Sequence, residues 1–580
     1  MPTAPIEFPP PVDSAEEFVG APTDPEDERI EVGVVIVGGG PGGLACAIRL
    51  MQLLAEDEAL MESLGEVPVA LVEKGKGPGS HLLSGAMMNP SAMRALFPDL
   101  DESEWPTYGP VNKDTVYLLP NGKRSVPLHP IPPPFKNHGN HVTSVARLGR
   151  WLSEQAEEAG VYILGETSGH KVLVEDGRVV GIRSGDKGRG RDGQELSNFE
   201  PGSDLIAKAT VLAEGTAGHL TGAAIRHFDI GSEDPQQWEL GVKEIWEVQQ
   251  PLDRVIHTMG WPLKFAAKYR EFGGSFIYPM GEDRVSMGLV VGLDYKDARF
   301  SVHEAFQELK THPLVANIIE GGKRVGWGAK TIPSGGYWAQ PRQLWAPGMA
   351  LVGDGAGMVN VPTLKGVHYA MHAGIFAAEA IVERLKNGSG EGVADLSSYQ
   401  EKVEASDIKK DRYKTRNSRQ PFAKGFFVGG ALANMMEISG GRFPGGRWRT
   451  HDDATVDVFI GDAGESYPKP DGKLTFDKLS SVFASGNATR DDAPNHIRIQ
   501  DNVPLELALM WQNMCPAAVY EVPEEELSAA RADGNGTLDA RRAVKLQITP
   551  SNCVQCGAIT AKGGRLTPPE GGDGPNYQVT

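Results

Sequence analysis

The sequence predicts an α/β plus α+β multidomain protein: a Rossmann-like dinucleotide-binding domain, an antiparallel-sheet domain interleaved with it, and a small C-terminal domain organised by cysteines. Three observations carry this. A β-branched strand, a glycine turn and a helical pattern follow one another in "IEVGVVIVGGGPGGLACAIRLMQLL". A stretch of different texture, "GGSFIYPMGEDRVSMGLVVGLDY" at 273–295, alternates or runs apolar around a Gly-Glu-Asp turn and reads as antiparallel strands. Near the end, "NCVQCGAI" sets two cysteines at C-x-x-C spacing.

A chain of 580 residues is long enough for two or three cores. With 40% hydrophobic and 23% charged residues the composition is that of an ordinary soluble protein, and no apolar run is long enough to span a bilayer. The formal charge of −19 argues against nucleic acid, whose binding needs Lys and Arg on phosphates, and favours basic partner surfaces. Four cysteines are too few for a disulfide scaffold, and three lie in the last eighth of the chain, which fits a reducing compartment and a metal site. The fourth, Cys46, reads as a small buried helix residue.

Taken in chain order, residues 1–30 are Pro-rich and acidic without a signal or transit pattern, and read as a disordered arm. The G-x-G-x-x-G that follows has its proper context: Gly38 makes the tight turn, Gly40 admits a pyrophosphate, and Gly43 allows close helix–strand packing. A second strand, "VPVALVEKG", ends in Glu73, placed to hydrogen-bond a ribose hydroxyl. The hairpin-like "TVYLLPNGKRSVPLHPIPPPF" (115–135) carries a Pro-Asn-Gly turn. "ATVLAEGTAGHL" (209–220) is a strand ending in Glu214-Gly215, where the chain returns to the dinucleotide domain.

At 347–374 a strand runs into Gly353-Asp354-Gly355 and then a small-residue helix, the way two-domain flavoproteins bring an Asp and a helix N-terminus to the cofactor; this points to FAD. Residues 394–424 are charged and helical. In 424–449 a short apolar helix carries Phe427, Ala431, Met435 and Ile438 on one face, with Arg442, Arg447 and Arg449 after it. Such a stripe is core or, given the basic tail, a lipid contact; Glu437 counts against the latter. Cys515 in "NMCPAAVY" joins Cys553 and Cys556, while Ile559 stands where a further C-x-x-C step would deliver a fourth thiolate.

Together these segments resemble the electron-transfer flavoprotein:ubiquinone oxidoreductase family from about Ile36 to the C-terminus. The specific marks are "VEKGKGPGSHLLSGAMMNP", "NHGNHV", "ARLGRWLSEQAEEAGV", "HTMGWPL", "EGGKRVGWGAK", "NVPTLKGVHYAMHAG", "YPKPDGKLTFDKLSSV" and "CPAAVYEVP". The resemblance implies a peripheral membrane flavoenzyme with FAD and a 4Fe-4S cluster that takes electrons from reduced electron-transfer flavoprotein and reduces ubiquinone. It extends the cofactor-binding set to Ser84, Gly85, Arg147, Glu214, Gly215, Gly353 and Asp354. It places the quinone head against Gly273 and Gly274 and bilayer contacts at Tyr117, Phe427 and Met435, and it makes Cys515, Cys553 and Cys556 metal ligands. It also implies a division into an FAD domain (31–115, 136–235, 325–395), a quinone and membrane-contact domain (116–135, 236–324, 396–455) and a ferredoxin-like iron–sulfur domain (456–580).

Two departures keep alternatives open. With Ile559 at the fourth position, the thiols hold a 3Fe-4S cluster, a 4Fe-4S cluster with an oxygen or solvent ligand, a zinc ion, or nothing. Asp354 is more usual in FAD hydroxylases and reductases, so the rival is a reductase or hydroxylase of a small or isoprenoid substrate; a non-catalytic flavoprotein partner of electron-transfer flavoprotein is a second. The acceptor is ubiquinone or menaquinone, and the location expected is the cytoplasmic face of a bacterial membrane. His138 and His257 fall near the quinone region and serve structure as readily as proton transfer.

Overall fold

The computed structural model describes residues 3–83, 85, 87–387, 392–464, 467–533 and 537–580. Its first layer is a nine-stranded sheet. Strand Ile30–Val37 pairs in parallel with Val69–Val72 on one side and Asp204–Leu212 on the other. Tyr162–Leu164 and Met349–Leu351 extend the parallel set outward. These strands are Val/Ile/Leu-rich because both faces are covered. On one face, helix Pro41–Leu54 packs against helix Val367–Asn387 at backbone contact: a Cβ on Gly374 would lie 2.1 Å from the Gly42 carbonyl oxygen. Cys46 sits fully buried in this contact.

The second layer is a seven-stranded sheet, ordered Lys323–Pro333, Trp238–Glu247, Arg284–Gly292, Gly273–Pro279, Val255–Gly260, Asp114–Asn121, Arg124–Pro127. All its pairings are antiparallel except Val255–Gly260 with Asp114–Asn121. The Gly281-Glu282-Asp283 turn closes a hairpin, as its sequence predicts. The C-terminal unit holds three two-stranded ladders and helix Leu505–Met514. It shares one apolar core with the antiparallel sheet, in which Trp327 and Trp511 are both buried.

Three boundaries differ from the sequence expectation. Residues 3–30 are not a disordered arm: Phe18 is fully buried in the first core, Val19–Gly20 pairs with Gly169–Glu175, and Glu17 bridges to Arg498 and Arg565 of the C-terminal unit. One buried aromatic outweighs an acidic, Pro-rich composition. Strand Lys323–Pro333 belongs wholly to the antiparallel sheet, so that unit runs past residue 324. Helices Ser397–Ala405 and Asp407–Lys414 set Tyr399, Val403 and Ile408 into the dinucleotide core, so 396–414 packs with the first layer instead of the second.

Candidate functional site

The glycine turn opens a cavity of about 240 Å³ at the carboxyl ends of the parallel strands, lined by Gly38, Gly40, Glu73, Gly215, Gly353 and Asp354 among others. Gly38 has φ +108°, and a Cβ there would meet the Ala213 carbonyl oxygen at 2.5 Å. Gly43 packs the helix on the turn: its Cβ would lie 2.2 Å from the Gly38 carbonyl oxygen. Gly40 differs, since a Cβ there finds its nearest atom at 3.8 Å and would occupy only cavity space. The Glu73 carboxylate accepts the backbone N–H of Gly39 at 2.9 Å and of Gly75 at 2.7 Å, which fixes it at the cavity wall. Burial pushes the Asp354 carboxyl up to about 6, Lys330 opposing.

Glu214 also lines this cavity. Its carboxylate accepts from Thr221 N at 2.6 Å and Thr221 Oγ1 at 2.7 Å, holding the start of helix His219–His227, with His219 Nδ1 at 3.3 Å. Burial raises this carboxyl, and His219 together with the Thr221 bonds more than offsets it, leaving it below its ordinary value. Arg147 is exposed, stands 5.7 Å from the Tyr108 ring and does not line the cavity. Ser84 lies outside the described residues. Residues the sequence reading did not single out complete the wall: His81, whose ring is buried in the wall, and Gln555, whose Nε2 is unpaired while its Oε1 accepts from Lys74 at 2.5 Å. Side-chain-free turns beside an unpaired buried donor fit a dinucleotide cofactor.

A second cavity of about 460 Å³ abuts the first and is mostly apolar. The two share Leu83, Met87, Lys330, Ile332 and Leu364. Gly85, Gly273 and Gly274 line it, with Phe276, Phe422, Phe426 and Phe427. The paired glycines are needed by the sheet itself: a Cβ on Gly273 would lie 2.1 Å from the Val290 carbonyl oxygen, and one on Gly274 2.7 Å from that of Thr258. His257 Nε2 pairs with the Tyr278 hydroxyl at 2.8 Å, and burial pushes its pKa down to about 3. His138 is exposed.

Helix Phe426–Ile438 roofs this cavity with Phe427, Ala431 and Asn434. Its stripe is not core: Phe427 is 63% exposed and Ile438 76%, with Met435 also exposed. Glu437 is paired with Lys414 at 2.7 Å. Of the basic tail, Arg447 is already paired with Glu233 and Asp234, whereas Arg442 and Arg449 are exposed. Tyr117 is half-buried against the second core, and on the returning strand Val126 is exposed instead.

Cys515, Cys553 and Cys556 are all buried in that same core. Backbone N–H groups of Ala517 and Val519 approach Cys515 Sγ at 3.4 and 3.5 Å, and that of Gln555 approaches Cys553 Sγ at 3.4 Å. Burial raises all three thiols; the charge of the other cysteines raises Cys553 and Cys556 further, Cys556 to about 12, while Lys478, Lys74 and Lys330 work in the opposite direction on Cys515, Cys553 and Cys556 respectively. Ile559 is buried against Gly564 and Ile499. Among the described residues no group of three or more His, Cys, Asp and Glu closes on a single metal ion. Buried sulfurs with backbone N–H donors aimed at them have the chemistry of cluster ligands.

One strand joins the three places. Thr331, in Lys323–Pro333, holds the Cys556 carbonyl through its N–H and its hydroxyl, both at 2.8 Å. Its neighbours Lys330 and Ile332 line both cavities, and Gln555 and Gly557 on either side of Cys556 line the first.

A Rossmann-like dinucleotide domain, an adjoining apolar cavity and a loop of buried cysteines define a multidomain redox protein of the dinucleotide-binding class. Residues 238–332 match the family model "ETF-QO, ubiquinone-binding", and 472–578 match "Electron transfer flavoprotein-ubiquinone oxidoreductase, 4Fe-4S". The electron transfer flavoprotein-ubiquinone oxidoreductase of Pseudomonas aeruginosa is 38% identical, covering 95% of this chain and 99% of that protein. The mitochondrial protein of that name from Caenorhabditis elegans is 37% identical over 94% of this chain and 91% of its own length. The chain belongs to the electron transfer flavoprotein-ubiquinone oxidoreductase family. A geranylgeranyl bacteriochlorophyll reductase-like protein from Thermoplasma acidophilum shares the fold over 74% of this chain and 94% of its own, with TM-score 0.53 and 17% identity.

Proposed function

We propose that the protein oxidises reduced electron-transfer flavoprotein and reduces a membrane quinone, with FAD in the glycine-lined cavity, quinone in the apolar one and an iron–sulfur cluster on three cysteines. The observation that carries this is strand Lys323–Pro333, which brings all three places to one short stretch of backbone. When bound, FAD exchanges electrons singly or in pairs, and an iron–sulfur cluster exchanges them singly.

The chain's own residues do the rest. Gly38 makes the turn, Gly40 leaves room for the pyrophosphate, and Glu73 takes the ribose. Gly273 and Gly274 keep one cavity wall flat, and the phenylalanines exclude water from it. Lys330, in both cavity walls, places positive charge where electrons arrive, with burial lowering its pKa to about 8. Cys515, Cys553 and Cys556 hold the cluster, and Ile559 leaves one corner without protein sulfur. The exposed face of helix Phe426–Ile438, at the mouth of the quinone cavity, rests on the cytoplasmic face of a bacterial membrane. No helix among the described residues is long and apolar enough to cross it.

The test is anaerobic purification with flavin, iron and acid-labile sulfide analysis, EPR, and turnover with reduced electron-transfer flavoprotein and a short-chain ubiquinone. One FAD, three or four irons and donor-dependent quinol formation are expected, with Ile559→Cys changing the EPR signature toward a fully cysteine-ligated centre. Rapid NAD(P)H oxidation without that donor would overturn the proposal.

A further inference from the structure

The wall of the apolar cavity holds one carboxyl group, that of Glu239. Glu239 lies near the start of strand Trp238–Glu247, 1% exposed, in the cavity wall, and its Oε1 has no hydrogen-bond partner. Behind it Arg419 Nε stands 3.8 Å from that oxygen, and Arg419 NH2 donates to Asp294 Oδ1 at 2.5 Å. Asp294 Oδ2 is 3.7 Å from His451 Nε2, whose side chain is 34% exposed. A row of ionisable groups therefore runs from the cavity to the surface.

We infer that Glu239 is the group that hands a proton to a quinone carbonyl in this cavity, Arg419 and Asp294 setting its electrostatic surroundings. This rests on the proposed quinone reduction. Conversion of quinone to quinol adds two electrons and two protons. The reduced flavoprotein donor supplies the electrons; the Glu239 O–H bond breaks as one quinone O–H bond forms, water supplies the proton at the opposite oxygen, and the Glu239 carboxylate regains its proton from water.

The surroundings favour Glu239 over the other candidates. Burial raises its carboxyl to about 7, with Arg419 and a hydrogen bond with Ser334 opposing and Asp294 reinforcing, so it carries a proton near neutrality. His257, also in the cavity wall, is pushed down to about 3 and has none to give. Lys330 is engaged with the Gln555 carbonyl at 3.1 Å. The remaining charged groups around this region are Lys243 on the same strand and in the same wall, lowered by burial to about 7, Asp453 and Lys562 beyond Asp294, and Arg270, which donates to His451 at 3.0 Å.

The test mixes pre-reduced holoenzyme with a short-chain ubiquinone in stopped flow from pH 5.5 to 8.5, in H₂O and D₂O. For wild type the quinone-reduction rate is expected to fall as pH rises through about 7, with a solvent isotope effect. Glu239→Gln is expected to be about 10²-fold slower at pH 6, to lose the pH dependence and to retain the wild-type KM for quinone, while Glu239→Asp restores the pH-dependent limb. A Glu239→Gln protein with wild-type rate and pH profile would overturn the inference. Wild-type holoenzyme that passes no electrons to quinone would overturn the functional reading beneath it, which separates the two failures.

Discussion

At the scale of single residues, the glycines divide into those that serve the fold and those that serve the ligand. Gly43 and Gly273 face backbone oxygens at 2.2 and 2.1 Å from an added Cβ, whereas Gly40 faces cavity. Gly43→Ala is therefore expected to lower stability by about 1–3 kcal/mol, read as a drop in thermal midpoint. Gly40→Ala should melt within a degree or two of wild type in the apo form and purify with little flavin. Glu239 gives a pH prediction. Its folded pKa is raised from 4.5 to about 7, so the wild type loses stability as pH rises from below 4.5 through 7. Glu239→Gln lacks that loss, and its stability relative to wild type should increase between pH 5 and pH 8 by up to about 3 kcal/mol. Equal pH dependence of unfolding in the two proteins would contradict this.

At the scale of elements, helix Phe426–Ile438 shows what periodicity leaves undecided. The spacing of Phe427, Ala431, Met435 and Ile438 establishes a shared face and not what covers it. In the folded chain the helix buries Gly429 and Met436 and leaves the stripe open beside the quinone cavity. Phe427→Ser/Ile438→Ser is expected to cut co-sedimentation with anionic phospholipid vesicles at least tenfold and to leave the thermal midpoint unchanged, because neither side chain is in a core. Unaltered vesicle binding would place the membrane contact elsewhere, the exposed edge strand Arg124–Pro127 being the alternative. Tyr117 itself is half-buried, a consequence of its strand pairing in the middle of the hairpin region with Val255–Gly260.

At the scale of the whole molecule, the chain ties its parts together at its ends. The N-terminal residues bridge the first core and the C-terminal unit through Phe18 and Glu17, and Arg565 stands 5.5 Å from the Phe18 ring. The other end returns to the dinucleotide domain, where the Ser144 hydroxyl donates to the Thr580 carbonyl oxygen at 3.0 Å and Tyr577 N donates to the Ser80 carbonyl oxygen at 2.9 Å. Phe18→Ala is expected to cost about 3–5 kcal/mol and to make 3–30 the first site of limited proteolysis; protection equal to wild type would show that the arm is held by its ion pairs alone.

The sequence by itself determined the dinucleotide turn, the Gly-Glu-Asp hairpin and the C-x-x-C step with Ile559 after it, because each is set by residues a few positions apart whose backbone and chemistry are local. It also carried the family resemblance, which the two family models and the relatives establish. Only the tertiary structure decided that Glu214 holds a helix start, that Arg147 faces solvent and that 3–30 is ordered. It alone placed His81, Gln555, Lys330 and Glu239 in cavity walls. Those roles depend on partners far along the chain: Glu239 acquires its setting from Arg419, Asp294 and His451, which no local pattern connects to it. Burial and long-range pairing are properties of the packed molecule, and a carboxylate's proton follows its surroundings and not its neighbours in sequence.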